Sequence, residues 1–205
     1  MERRSFFLIT IHLLISLSVF SQPDKSAFGV TAGVNVSYIA QRGSTTFVVY
    51  EPTALFGLNA GVSYRRVLSK AWAIRSELFY ITKGGDFGIA GTSRYHYMNL
   101  PILVQFSPFK NFQIESGLEP AGLIGVGNNF LGDYPFINKW DLSGVLGASY
   151  WFQKKFEFAV RYGYGFVPVE EITFTNASGA LEGTAKDFNR YVRISIGYYF
   201  VNQVD

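Results

Sequence analysis

FGVTAGVNVSY, residues 28–38, decides the fold: Phe28, Val30, Ala32, Val34, Val36 and Tyr38 fall on one side of an extended chain, and Gly29, Thr31, Gly33, Asn35 and Ser37 on the other. Successive side chains of a strand point to opposite faces, so this alternation is that of a ribbon with one oily side and one side that is small and polar. A helix would scatter the same residues around its circumference. The 21 glycines of the 205-residue chain also argue against a large helical protein, because each costs a helix about 1 kcal/mol relative to alanine.

The pattern recurs seven more times. Residues 54–65 set Phe56, Leu58, Ala60, Val62 and Tyr64 against Gly57, Asn59, Gly61, Ser63 and Arg65, and 72–82 set Trp72, Ile74, Leu78 and Tyr80 against Arg75 and Glu77. Residues 95–106 set Met98, Leu100, Ile102, Val104 and Phe106 against Tyr97, Asn99 and Gln105, and 112–123 set Phe112, Ile114 and Leu118 against Gln113, Glu115, Gly117 and Glu119. The remaining runs are 141–152, with Asp141 on the polar side, 156–166, with Glu157 and Arg161, and 190–200, with Arg193. Nine charges, Arg65, Arg75, Glu77, Glu115, Glu119, Asp141, Glu157, Arg161 and Arg193, thus share the polar side, and only Arg190, at the end of a run, falls on the oily one. A one-residue slip in pairing would turn all nine outward.

Which side is inside decides between two all-β architectures. In a soluble barrel of the lipocalin kind, apolar residues point inward and polar ones meet water. Here the oily side is nearly free of charge, unsuitable for a wet surface, while the polar side is rich in glycine and serine, which suits a narrow interior. The links agree. Residues 39–53, 83–94, 124–140 and 167–189 form long connections, and 66–71, 107–111 and 153–155 short ones, in strict alternation. Bacterial outer-membrane barrels have short periplasmic turns and longer outer loops. Aromatics fall into two groups: Trp72, Phe106, Phe112, Tyr150, Phe152, Phe156 and Phe200 near the short turns, and Tyr38, Tyr80, Tyr95, Tyr164 and Phe166 near the long links. Such rings gather at the two membrane interfaces. The expectation is an all-β, eight-stranded antiparallel up-and-down transmembrane β-barrel with both mature termini in the periplasm.

Composition fits. Hydrophobic residues make up 48%, aromatics 18% and charged residues only 16%, well below the roughly 25% charged of a soluble domain. The net charge of +3 is small and scattered, which argues against nucleic-acid binding. With no cysteine, disulfides, thiolate metal sites and a thiol nucleophile are excluded. Residues 1–21 carry Arg3 and Arg4 ahead of a fifteen-residue segment, 6–20, without a formal charge. This length falls short of the roughly 20 residues of a spanning helix and matches a cleavable signal peptide, with cleavage after Ser21. Removing Glu2, Arg3 and Arg4 takes the 18 basic and 15 acidic residues to 16 and 14. The barrel domain is then 22–205.

Over nearly this whole length the chain resembles the PorT-like outer-membrane β-barrel family of Gram-negative bacteria. The resemblance is carried by ELFY with its following KG at 77–84, YMNLP at 97–101, RYG at 161–163 and GYYF at 197–200. It implies an outer-membrane location and a part in exporting or displaying surface proteins, and it implies that Gly197, Tyr198 and Phe200 form the signal read by the barrel assembly machinery. The chain departs from the family at Asn99, where an acidic residue often stands.

Chemistry-bearing constellations are sparse. His96 is the single histidine after the leader, and a hydrolase would need an orienting acid and a nucleophile beside it. Met98 is its neighbour on the same side, and Ser93 and Thr92 fall in a link, so His96 reads as an interfacial residue. Asn128, Asn129 and Asp133 lack the terminal bidentate acid of a calcium loop, and Gly122, Gly125 and Gly127 precede no helix, so they mark a bend and not a nucleotide site. Residues 167–189 carry Glu170, Glu171, Glu182 and Asp187 against Lys186 and read as a solvated outer loop. The nine interior charges, four arginines and five acids, are expected to pair and plug the lumen, with Glu77, Glu119, Arg161 and Arg193 nearest mid-height. The reading is a monomeric, non-enzymatic barrel without cofactors that serves as a scaffold or binding component among outer-membrane lipid and envelope or secretion proteins. A narrow channel for ions or very small solutes is the alternative.

Overall fold

The computed structural model describes residues 26–44, 52–88, 91–127, 129–130, 137–175 and 177–200. Ten strands follow in chain order: β1 (Ser26–Ser44), β2 (Thr53–Val67), β3 (Trp72–Asp86), β4 (Thr92–Asn99), β5 (Ile102–Phe109), β6 (Phe112–Val126), β7 (Asn129–Phe130), β8 (Trp140–Phe152), β9 (Phe156–Thr175) and β10 (Leu181–Tyr199). Every pairing is antiparallel. β1 pairs with β2 on one side and β10 on the other, and the order continues through β9, β8, β6 and the β4/β5 ribbon to β3, which returns to β2. The sheet therefore closes on itself as eight long ribbons with no free edge, the arrangement that satisfies backbone groups inside a bilayer.

The fourth ribbon is split at Leu100 and Pro101. Proline supplies no N–H to a ladder. Pro101 and Pro120 still contribute their carbonyls, which accept from the N–H of Glu77 at 3.3 Å and of Leu100 at 2.9 Å. Sequence alternation runs unbroken across this point, which is why 95–106 reads as one strand.

The alternating faces settle which side is outside. Phe56, Leu58, Val62, Leu78, Leu118, Leu146, Val160, Ile194 and Ile196 are exposed, whereas all nine charges of the polar side are buried. Register lines up the oily row directly: Tyr198 faces Val30, Val30 faces Val62 and Val62 faces Leu78. Pairs such as Trp72 with Phe106 and Phe156 with Tyr198, at ring centroid distances of 4.9 and 5.2 Å, lie on the outer wall at the short-turn end. Tyr95 leaves the expected loop-end belt. It shares the parity of Tyr97 and lies inside, buried with Ile39, Phe79, Ile81, Tyr97, Ala121, Val169 and Tyr191.

The long links are shorter than their sequence reading. Residues 167–189 are mostly strand: β9 runs to Thr175 and β10 starts at Leu181, so the pair projects as a long hairpin beyond the belt. β9 is wet on both faces along 171–175, where inside/outside alternation stops, and the period-two signal ends although the ladder continues. Residues 39–53 are shortened likewise, because β1 reaches Ser44, and 83–94 because β3 reaches Asp86 and β4 starts at Thr92, so Thr92 and Ser93 lie in a strand and not in a link.

The β2–β3 seam is irregular. Ala54 pairs with Gly85 and Asn59 with Ile81, so four residues of β2 face three of β3. Side chains of β1 repair the gap. The Asn35 amide donates to the Thr82 carbonyl at 2.7 Å, and the Ser37 hydroxyl accepts from the Gly84 N–H at 3.0 Å. Gly57 makes this reach feasible, since a Cβ there would lie 2.4 Å from the Thr82 carbonyl oxygen and 2.7 Å from the Asn35 amide nitrogen. Residues 1–21, assigned to a signal peptide, lie outside the described residues, as do Asn128 and Asp133. Of the remaining calcium candidate, only the Asn129 backbone is described, in β7 against Val126.

Candidate functional site: the ionic interior

Inward positions on β2, β3, β6, β8, β9 and β10 bring the nine charges into the lumen, where each is 5% exposed or less. They assemble into two groups. Toward the short-turn end, Arg75 bridges Glu77 and Glu157, Arg161 bridges Glu115 and Glu77, and Arg193 donates to Glu77 at 2.7 Å. Arg65 joins through Gln105, which accepts from the Arg65 Nε at 2.8 Å and donates to Glu115 at 2.9 Å. Glu77 is thus the hub, held by three arginines from three strands.

The second group lies toward the loop end and contains a residue that the sequence reading missed. Lys83, fully buried on β3, stands 3.4 Å from Glu119 and 3.3 Å from Asp141, with its ammonium over the rings of Tyr97 and Tyr191. The nine charges alone leave one acid in excess, and with Lys83 these two groups together hold five bases and five acids. A signal was present, since Lys83 continues the parity of Arg75 and Glu77, but it is followed by Gly84, Gly85 and Asp86, where the apolar alternation ends. Asn99 donates to Glu119, and the Tyr191 hydroxyl donates to the same carboxylate at 2.7 Å. An acid at position 99 would set two carboxylates together, so the asparagine suits the presence of Glu119.

Glu119 therefore does not join Glu77, Arg161 and Arg193 at one level. Strands of a closed barrel are tilted and staggered, so equal distance along the chain does not mean equal height. The Arg193 guanidinium stacks at 4.0 Å on the Phe79 ring, which lies between the Glu77 and Lys83 positions on β3. The short-turn group carries four bases against three acids, and the loop-end group one base against two.

Topology makes these contacts a barrier. β3 and β9 are four ribbons apart around the ring of eight, so Arg75 to Glu157 and Arg161 to Glu77 cross its full diameter. The ends are filled as well, by Ala27, Trp151 and Tyr199 at one end and by the tyrosine-rich cluster around Tyr97 and Tyr191 at the other. The Tyr199 hydroxyl accepts from Ser63 at 2.7 Å and donates to Glu157 at 3.1 Å. Buried charges of this kind are tolerable only when paired.

His96 lies apart from the network. Its Nδ1 accepts from the Tyr80 hydroxyl at 2.5 Å and its Nε2 donates to the Gly127 carbonyl at 2.8 Å, roles assigned from the partners' chemistry. Both ring nitrogens are engaged in tying β3 and β4 to the end of β6. Gly127, at φ 57°, turns the chain there, and Ile124 is skipped in the β4–β6 register, so the glycine-rich stretch is a bend. Among the described residues no group of three His, Asp or Glu side chains is placed to hold a metal ion. Gly197 is buried in the ladder, while Tyr198 and Phe200 lie on the outer wall with ring centroids 5.5 Å apart.

A closed antiparallel ring with an apolar wall and an ionic, filled interior defines an integral barrel of the bacterial outer membrane. Residues 20–171 match the family described as outer membrane protein beta-barrel domain, and the chain belongs to that family. Its fold is similar to that of the outer membrane protein OprG from Pseudomonas aeruginosa, at 14% identity and a TM-score of 0.50, over 86% of this chain and 97% of that one. It is also similar to Neisserial surface protein A, at 11% identity and a TM-score of 0.50, over 84% and 97%. No curated protein sequence matches the chain.

Proposed function

We infer that the protein is a monomeric, non-enzymatic scaffold or binding component of the outer membrane, exported by the leader at 1–21. Its termini and short turns face the periplasm, and the β9–β10 hairpin and the other loop-end segments face outward. The observation that carries this reading is the pair of ionic bridges across the full diameter of the lumen, Arg75 to Glu157 and Arg161 to Glu77. They favour a rigid post over a conduit. The resemblance to PorT-like barrels supports a role in export or display of surface proteins, with envelope or secretion proteins as partners. On the same reading Gly197, Tyr198 and Phe200 engage the assembly machinery.

Planar-bilayer recording tests the closed lumen: the barrel gives no steady unitary currents, and reproducible steps would favour the narrow channel for ions or very small solutes. Deletion of the gene followed by comparison of surface and secreted proteins tests the role. An unchanged surface proteome would refute it.

A further inference from the structure

We propose that the outer wall carries a binding site for the phosphate group of an outer-leaflet lipid, formed by Arg42, Arg190 and Tyr164 where the apolar band meets the loop end. The proposal rests on the orientation inferred above. Arginine on a lipid-facing wall costs about 2–4 kcal/mol at the midplane and much less at the interface. Arg190 has the outward parity of Val192 and Ile194 and sits in register between Tyr38 on β1 and Tyr164 on β9. Its guanidinium lies 3.5 Å from the centroid of the Tyr164 ring and 5.9 Å from that of Phe188. Nη1 donates to the carbonyls of Gly165 at 2.9 Å and Asn189 at 2.7 Å, while Nη2 is buried without a hydrogen-bond partner.

Arg42, exposed on β1, converges on the same rings. It lies 5.5 Å from the centroid of Tyr164 and 5.7 Å from that of Phe188, and it donates to the Tyr164 hydroxyl. Lys186 stands opposite Arg42 in register and is matched by Glu171 at 3.0 Å. Among the described residues neither guanidinium meets a carboxylate. Two cations without a carboxylate partner among the described residues thus share one tyrosine where the charge-free apolar band ends.

Their chemistry selects the ligand. Planar guanidinium forks match phosphate oxygens, and stacking on rings holds their orientation. The occupant is a lipid and not a free anion, because the surface below the two arginines, through Val34, Val192 and Ile194, is exposed and apolar and suits the acyl chains of the same molecule. Tyrosine at this level marks the depth of the headgroups.

The test uses the purified barrel in detergent micelles with phosphorylated lipid A, its dephosphorylated form or inorganic phosphate. Native mass spectrometry counts retained lipid, and gel mobility after heating follows unfolding. Wild type retains phosphorylated lipid A about tenfold more strongly than the dephosphorylated form. Arg42→Gln removes that preference by a similar factor, the scale of one lost charge-assisted hydrogen bond, and Lys186→Gln preserves it. Arg42 is exposed, so its substitution leaves folding intact; Arg190→Gln is the confirming variant. Retention that ignores the phosphates, or that survives Arg42→Gln, would overturn the proposal, and equal heat protection by inorganic phosphate would show a site for the free ion instead. Protease cleavage of the β9–β10 hairpin in intact cells reports the orientation separately, so a failed lipid test and a failed orientation are distinguishable.

Discussion

Replacing Lys83 by methionine removes the one base of the loop-end ionic group while keeping most of its stem volume. Lys83 is fully buried and its ammonium reaches two carboxylates, Glu119 at 3.4 Å and Asp141 at 3.3 Å. Glu119 keeps hydrogen bonds from Asn99 and Tyr191, and Asp141 keeps one from Asn189 at 2.8 Å, so neither acid is stripped of all its donors. Two negative charges nevertheless remain without a cation in the interior. Removing one partner of a buried pair costs about 3–5 kcal/mol. The retained hydrogen bonds place Lys83→Met near the lower end, about 3 kcal/mol. With a urea dependence of about 1–3 kcal/mol per molar, the unfolding midpoint falls by about 1–3 M. Tryptophan fluorescence and heat-dependent gel mobility of the barrel refolded in lipid vesicles follow it. Lys83→Met with Asp141→Asn removes one charge of each sign and recovers part of the loss. The exposed Lys70→Met is the control, with a shift inside about 0.5 kcal/mol. If Lys83→Met behaves like Lys70→Met, or the two substitutions simply add, the loop-end group is not an electrostatic unit.

Other outcomes follow from single contacts. Gly163→Ala sets a Cβ 2.0 Å from the Tyr191 ring and pushes it from Glu119; overpacking of about 1–3 kcal/mol shows as a lower urea midpoint. Asn35→Ala removes the donor to the Thr82 carbonyl and raises hydrogen exchange at Leu58 and its β2 neighbours, while exchange on β9 stays unchanged. Burial raises the carboxyl pKa of Asp187, and burial with the neighbouring Asp187 raises that of Glu170, on opposed positions of the β9–β10 hairpin beyond the belt. A raised folded-state pKa favours the protonated form, so the hairpin is most protected below the ordinary carboxylate range and loses protection as pH rises through the raised values. Asp187→Asn flattens that dependence in exchange measured between pH 3 and 7. His96→Ala leaves lipase and protease assays at background, and activity lost on this substitution would sink the non-enzymatic reading.

The sequence by itself determined the wall. Parity of charged and apolar residues in eight runs is a local property, enforced because each misplaced charge would meet hydrocarbon, and it located the nine interior charges without any knowledge of their partners. It could not distinguish which charges meet, because partners such as Arg161 and Glu77 are 84 positions apart and are joined only by closure of the ring and the stagger of its strands. Lys83 escaped for a related reason: its strand continues past the point where the outer face stops being apolar. The hairpin of β9 and β10 escaped because β9 is wet on both faces along 171–175 and the buried side of β10 there, Gly183, Ala185 and Asp187, sets no polar row against an apolar one. Arg190 shows the converse limit. Its parity marked it as an exception on the oily side, but only the tertiary structure set Arg42 and Tyr164 beside it, since the neighbour across a ladder is chosen by register and not by the residue's own run.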